Sequence, residues 1–225
     1  MINLYIVATP IGNFKDIGIR AKEILESVSF IVCENENEYK RLFGYLSIKP
    51  KKFVLYTQKN ELEAISLTID LLKQGEVGAL ISDCGTPLFE DPGFGLINAV
   101  RNNNFRVTSI PGANSLVTAL SLSPFRVKDF YFAGFLPIKN EQREKELLSI
   151  IKRKETIIFM EAPYRLKNIL ELINKYIKNR KIYIPYNLTM EDEFLFYGTP
   201  AEVICLIENK NITKGEFLII IEDMK

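Results

Sequence analysis

Two hydrophobic patterns take turns along this chain. Short runs such as Leu4-Tyr5-Ile6-Val7, Phe30-Ile31-Val32-Cys33 and Val77 to Ile81 carry no charge and little polarity. Between them, apolar residues recur at spacings of three and four. One such stripe is Ile17, Ile19, Ala21, Ile24 and Leu25. Others are Tyr39, Leu42, Phe43 and Leu46, and Leu62, Ile65, Ile69 and Leu72. Continuous apolar runs predict strands buried on both faces. The spaced stripes predict helices that pack on a sheet by one side.

Up to about residue 120 the alternation is regular. Strands are predicted at 2–8, 29–33, 53–56, 76–82 and 105–110. Helices fall between them, including 94–102, and a last one at 113–120. This implies a mostly parallel five-stranded sheet covered on both faces. The pattern breaks at Ser121–Lys128, read as a linker. Strand 129–133, helix 140–153, strand 156–160 and helix 165–176 follow. Then come strands 181–185 and 193–197, helix 199–208 and strand 216–221. Adjacent strands joined by short turns predict antiparallel pairing, hence a mixed sheet. The expectation is two α/β domains, 1–120 and 121–225.

Composition narrows the chemistry. At 225 residues with 47% hydrophobic content, the chain can bury a sizeable core. No apolar run approaches the roughly 18 residues that span a bilayer. Met1-Ile2-Asn3-Leu4 lacks the basic and apolar regions of a signal peptide, so a cytoplasmic protein without a membrane partner is expected. Cys33, Cys84 and Cys205 are distant and odd in number, which fits neither a disulfide framework nor a zinc site. The absence of histidine removes the commonest general base and most zinc sites. No bound metal is expected. The net charge of +1 is unevenly spread. Residues 139–181 hold 12 Lys/Arg against 6 Asp/Glu, and residues 182–225 hold 3 against 8. The basic excess, with Lys152, Arg153 and Lys154 accessible, fits either phosphate contacts or the solvated faces of helices.

Three predicted strands end in small, turn-forming residues. The first runs into Thr9-Pro10-Ile11-Gly12-Asn13. The fourth runs into Ser82-Asp83-Cys84-Gly85-Thr86-Pro87, followed by Asp91-Pro92-Gly93. The fifth runs into Pro111-Gly112-Ala113-Asn114-Ser115. Open α/β sheets bind ligands at the C-terminal ends of their strands. The spacing is neither that of a dinucleotide fingerprint nor that of a P-loop. A small adenosine-type ligand without a long phosphate chain is expected. Thr86, Ser115, Asn13 and Asn114 would recognise it, and Ile11, Leu88 and Phe89 would wall it. Asp83 either faces this ligand or caps the next turn through an Asx interaction. Glu161, at another strand end, either reaches into a cleft or favours the following helix start.

Taken together, these segments resemble the tetrapyrrole methylase superfamily, the class III S-adenosylmethionine-dependent methyltransferases, and within it the ribosomal-RNA branch. The resemblance extends through Gly134-Phe135-Leu136-Pro137, Glu161-Ala162-Pro163-Tyr164-Arg165, Leu188-Thr189 and Lys214-Gly215-Glu216-Phe217. It implies two α/β domains with the ligand cleft between them, and a homodimer. It implies S-adenosylmethionine as methyl donor, held by Ile11, Asp83, Thr86, Phe89, Asn114, Ser115, Met160, Leu188 and Glu216. Asn13, Arg20, Glu161 and Arg165 would meet the substrate. The implied activity is 2′-O-methylation of a cytidine in small-subunit ribosomal RNA, free or in the assembled subunit. No residue stands out as the catalytic base. The chain departs from the family's pattern on the substrate side. Cys33-Glu34-Asn35-Glu36-Asn37 lacks the usual arginine. Thr57-Gln58-Lys59-Asn60-Glu61 lacks the usual histidines, and Tyr164 stands where a histidine is usual. Two further readings therefore stay open: a class III methyltransferase for another substrate, and a non-catalytic adenosyl-ligand-binding module.

Overall fold

The computed structural model describes residues 1–224, which divide into two compact units, Met1–Asn114 and Ser115 onward. In the first unit, strands β1 (Leu4–Val7), β2 (Phe30–Cys33), β3 (Lys52–Leu55), β4 (Gly78–Ile81) and β5 (Val107–Ile110) form one sheet. Its order is β3-β2-β4-β1-β5, and every pair is parallel. The helices are α1 (Ile19–Ser27), α2 (Glu36–Leu46), α3 (Glu61–Lys73) and α4 (Phe94–Asn102).

Strand order decides which face each helix covers. From β1 to β2 to β3 the chain moves toward one edge, and from β3 to β4 to β5 it moves back. Right-handed crossovers then put the first two helices on one face and the next two on the other. The cores agree. Ala21 and Leu25 of α1 and Tyr39, Leu42 and Phe43 of α2 pack with Val7, Ile31, Cys33, Ala79 and Ile81. Ala64, Ile69 and Leu72 of α3 and Leu96, Ile97 and Val100 of α4 pack with Leu4, Phe30, Val32 and Leu80. Alternate strand residues are sorted to opposite faces, so the strands read as unbroken apolar runs. Gly78 keeps one approach open, because a Cβ there would lie 2.3 Å from the Phe30 ring.

Two stripe residues are not core. Ile19 is 81% exposed and Leu62 is 84% exposed. They occupy the first and second positions of their helices, before the helix reaches the sheet. Four of the five strands are also shorter than the apolar runs suggest, because flanking residues such as Ala8 and Ser82 lie outside the ladder, and β3 keeps its expected length but starts one residue earlier.

In the second unit, α5 (Ser115–Ser121) precedes β6 (Phe130–Phe135), α6 (Asn140–Ile150), β7 (Thr156–Met160) and α7 (Leu166–Tyr176). Then come β8 (Ile182–Tyr186), β9 (Phe194–Gly198), α8 (Pro200–Asn209) and β10 (Leu218–Ile221). The sheet order is β6-β7-β10-β8-β9; β6 and β7 are parallel and the other pairs antiparallel. Contacts between α5 and β10 place that helix here, so the division falls before it rather than after residue 120. One face is covered by α6, α7 and α8. Leu166, Ile169, Leu170 and Ile173 form the buried stripe of α7 over Ile157, Phe159, Ile182, Ile184, Ile219 and Ile221. The hydroxyl of Thr199 and the carboxylate of Glu202 cap α8 reciprocally, with Pro200 in its first turn.

Helix α6 stops at Ile150, not at 153. Beyond it the Arg180 guanidinium donates to the carbonyls of Ile151 at 3.0 Å and Arg153 at 3.2 Å, which fixes the turn. The Arg153 side chain stacks over Tyr131 at 3.8 Å and pairs with Glu155 at 2.6 Å.

Candidate functional site

In the first unit the three turns are tied to one another. Thr9 lies at the end of β1, and its backbone N–H donates to the Gly85 carbonyl at 2.8 Å. Its hydroxyl sits 3.2 Å from the Ser82 carbonyl and 3.3 Å from that of Gly85. The Ser82 hydroxyl donates to the same Gly85 carbonyl at 2.8 Å. The Thr86 hydroxyl donates to the Ala113 carbonyl at 3.0 Å, linking the turn after β4 to the turn after β5. Cys84 Sγ lies 3.5 Å from the Ile11 carbonyl. Buried polar groups are thus satisfied from turn to turn, which fixes three loops as one surface. Gly85 has φ +83°, and a Cβ on it would press Ile11 Cγ2 at 3.2 Å. Leu88, not a glycine, also takes a left-handed φ of 70°. Such backbone persists where surroundings over-determine it.

The expected donor residues of this unit share that surface. Ile11 is buried, Thr86 and Asn114 are half-buried, and Asp83 and Phe89 are exposed. Ser115 follows Asn114 directly as the first residue of α5. Asn13 caps the short 3-10 turn Phe14–Asp16 by accepting from the Lys15 N–H at 3.1 Å. Arg20 is exposed, with Nη2 3.5 Å from the Ser109 carbonyl.

Next to these turns, at the ends of β2 and β4, carboxylates gather. Burial, and then Glu38, raises the Asp83 carboxyl above its usual range, although it accepts a hydrogen bond from the Asn35 backbone. Burial and then Asp83 raise Glu34. Asp91 is pushed up to about 6, first by burial and then by Glu34, Asp83 and Glu90. It lines a cavity of about 10 Å³ with Glu34, Tyr56, Ser82 and Pro87, room for about one water. Burial, with Asp83 and Glu36, pushes the Cys33 thiol to about 12, so it stays protonated. The sequence pointed to Asp83 and to the acid-bearing segment Cys33-Glu34-Asn35-Glu36-Asn37. It gave no sign that Glu34 and Asp91 would meet there, since only the β2–β4 pairing joins them.

In the second unit one sheet edge gathers the remaining expected residues. Met160 ends β7 and pairs with Leu218 of β10. Asn187 follows β8; its N–H donates to the Glu216 carbonyl, and the Glu216 N–H donates to its side-chain oxygen, both at 2.8 Å. Met160, Leu188 and Glu216 are therefore neighbours along this edge. Leu188 is buried, and burial raises the Glu216 carboxyl. Asn187 and Thr189 have φ of 45° and 68° and are held by side chains. Asn187 Nδ2 donates to Asp192 and the Thr189 N–H donates to Glu193, at 2.8 and 2.7 Å. A Cβ on Gly215 would fall 2.3 Å from the Tyr186 ring, so the backbone passes close there.

Beyond Met160 lies a buried ion cluster. The Glu161 side chain is 0% exposed. Its Oε1 accepts from the Ala162 N–H and from Arg165 Nη1, each at 2.8 Å. Arg143 Nη1 lies 3.9 Å from Oε2, which has no hydrogen-bond partner among the described residues. Arg143 also donates to Asn140 Oδ1 and to the Ile138 carbonyl. Arg165 Nη2 donates to the Tyr164 hydroxyl at 3.1 Å. Sequence reasoning placed Glu161 and Arg165 at the site and missed Arg143. Its spacing with Leu147 and Ile150, which put it on the buried face of α6, was the available signal.

Comparisons with known proteins agree in direction. The family profile of the Tetrapyrrole (Corrin/Porphyrin) Methylases matches residues 3–204. A ribosomal RNA small subunit methyltransferase I from Rickettsia prowazekii is 38% identical over 97% of this chain and 77% of its own length. One from Leptospira biflexa is 34% identical over 99% and 91%. Among solved structures, a cobalt-precorrin-4 methyltransferase of cobalamin biosynthesis superposes with a TM-score of 0.70 at 15% identity, covering 98% of this chain and 94% of its own. A uroporphyrin-III C-methyltransferase from Thermus thermophilus, complexed with S-adenosylhomocysteine, gives 0.65 at 16% identity, covering 98% and 97%. These last two likenesses establish the fold.

Proposed function

The chain belongs to the tetrapyrrole methylase family, and from that premise we propose that it 2′-O-methylates a cytidine in small-subunit ribosomal RNA. The chain is an S-adenosylmethionine-dependent methyltransferase of the ribosomal RNA small subunit methyltransferase I type. The observation that carries the finer reading is the likeness to ribosomal-RNA relatives over nearly all of the chain, together with three strand-end turns tied by Thr9, Ser82 and Thr86.

The residues fit a donor of this kind. Left-handed backbone at Gly85 and Leu88, and again at Asn187 and Thr189, shapes these turns without a glycine-rich phosphate loop. Ile11, Asp83, Thr86, Phe89, Asn114 and Ser115 in one set, and Met160, Leu188 and Glu216 in the other, would hold the donor. S-adenosylmethionine supplies a methyl group on a sulfonium centre, which departs as a neutral thioether. The protein's part is to hold the ribose hydroxyl in line with that methyl and to exclude water. Positioning of this kind accounts for much of the rate of such a transfer. Asn13 and Arg20 would meet the RNA; Arg165 and Glu161, expected beside them, are buried and paired with each other, so they would act on the substrate from behind the surface. A homodimer is part of the same reading.

The test is methyl transfer from radiolabelled S-adenosylmethionine to small ribosomal subunits from a strain lacking the activity. Label in 2′-O-methylcytidine is expected. A second reading, a class III methyltransferase for another substrate, is favoured by the carboxylates around Asp83 and Asp91, which repel a phosphate backbone. Label in any other product would favour it. Donor binding without transfer would leave only an adenosyl-ligand-binding module.

A further inference from the structure

Tyr164 is 71% exposed, yet its ring and hydroxyl are both held by one guanidinium. It sits in the 3-10 turn Pro163–Arg165 that follows β7, at the edge carrying Met160, Leu188 and Glu216. The Arg165 guanidinium lies 5.2 Å from the ring centroid and donates to the hydroxyl at 3.1 Å. Arg165 is only 9% exposed and is held by Glu161, which faces Arg143 in turn. Two buried cations and a buried carboxylate thus end on one exposed aromatic ring. Burying such ions is costly, and well-packed apolar residues of equal volume are often at least as stable. Stability alone does not account for the arrangement.

We infer that Tyr164 is a fixed stacking platform for a base of the RNA substrate, beside or at the target nucleotide, and that Arg165 and Glu161 position it. Single-stranded RNA is recognised largely by stacking of splayed bases on aromatic rings and guanidinium planes. A ring whose rotamer is already held loses little freedom when a base settles on it. The inference rests on ribosomal RNA being the substrate.

The experiment measures methyl transfer to small ribosomal subunits by the wild type, Tyr164→Ala, Tyr164→Phe and Arg165→Lys, with S-adenosylhomocysteine affinity, melting temperature and molecular mass measured alongside. Tyr164→Ala is expected to raise KM for the subunit roughly tenfold, the loss typical of one stacked base. Its kcat and donor affinity should stay within about twofold. Tyr164→Phe, which keeps the ring but gives up the hydroxyl that Arg165 holds, should recover part of the loss. Arg165→Lys, which loosens the support, should fall between. An unchanged KM in Tyr164→Ala overturns the inference. So does Tyr164→Phe failing as badly as Tyr164→Ala, which would assign the effect to the hydroxyl. A changed molecular mass in Tyr164→Ala would make the ring a subunit contact and overturn it as well. Absence of transfer by the wild type would instead refute the ribosomal-RNA reading, and the inference would fall with it.

Discussion

The strand ends of the two sheets treat buried charge in opposite ways. At the end of β7, Glu161 is fully buried but paired with Arg165 and faced by Arg143. At the ends of β2 and β4, Glu34 and Asp83 are exposed and Asp91 is half-buried, and the strongest influences on each are partial desolvation and other acids. The first is an anchored cluster whose members depend on each other. The second is a frustrated one, relieved by protonation. Similar positions on two sheets thus give one rigid cationic support and one pH-sensitive acidic rim.

The sharpest way to break the contrast is Glu161→Ala. It leaves Arg143 and Arg165 buried without a counter-charge, so a loss of about 3–5 kcal/mol is expected. Urea denaturation read from the second unit's tyrosines should show a much lower midpoint. A change below 1 kcal/mol would mean the cluster is hydrated rather than sealed. Thr9→Val comes next. It removes the hydroxyl that reaches the Ser82 and Gly85 carbonyls, while Gly85 keeps the Thr9 N–H and the Ser82 hydroxyl, so a cost of about 1 kcal/mol is expected. Hydrogen exchange at the turns after β1 and β4 should speed up, and unchanged exchange would show that the turns do not depend on one another.

Asp91→Asn tests the acidic rim. The carboxyl moves from 3.8 to about 6 on folding, so the folded state binds the extra proton between these values. Stability contributed by that proton is present at low pH and is lost as pH rises through about 6. The variant should therefore be more stable than the wild type above pH 6, with the gain vanishing toward pH 4. Solvent screening limits it to about 1 kcal/mol. A gain that does not vary with pH would contradict the assignment. The smallest effect is expected for Lys152→Gln with Lys154→Gln. Both side chains are exposed, so stability should not move. If the basic excess meets RNA, the salt slope of binding should flatten by up to about two counterions' worth. An unchanged slope would make it a solvated surface. Arg153 is a poor choice for this test, because it stacks on Tyr131 and pairs with Glu155.

Much of this architecture is written in local pattern. Helix α4 at 94–102 and strand β7 at 156–160 have the bounds that periodicity predicts. Buried strands and one-sided helices leave signals within ten residues. The end of α6 leaves none, because Arg180, which holds the turn after it, comes from 30 residues later. The turn residues were legible as candidates through their Gly, Pro and hydroxyl content. Their mutual hydrogen bonds were not, since Thr9 and Ser82 meet only because β1 lies beside β4. Arg143 shares the apolar stripe of α6 with Leu147 and Ile150, a faint signal among that helix's other charges, and its partner Glu161 is brought to it only by β7.

The claim on which the rest depends is that the tied turns hold the methyl donor. Calorimetric titration of S-adenosylhomocysteine into the wild type and Thr86→Phe tests it most directly. Thr86 is half-buried and bridges the turns after β4 and β5. The wild type should bind at low- to mid-micromolar affinity, roughly 7–8 kcal/mol. Thr86→Phe should retain its melting temperature within a few degrees and bind at least tenfold more weakly. Undiminished affinity in a folded Thr86→Phe protein would place the donor elsewhere and contradict the claim.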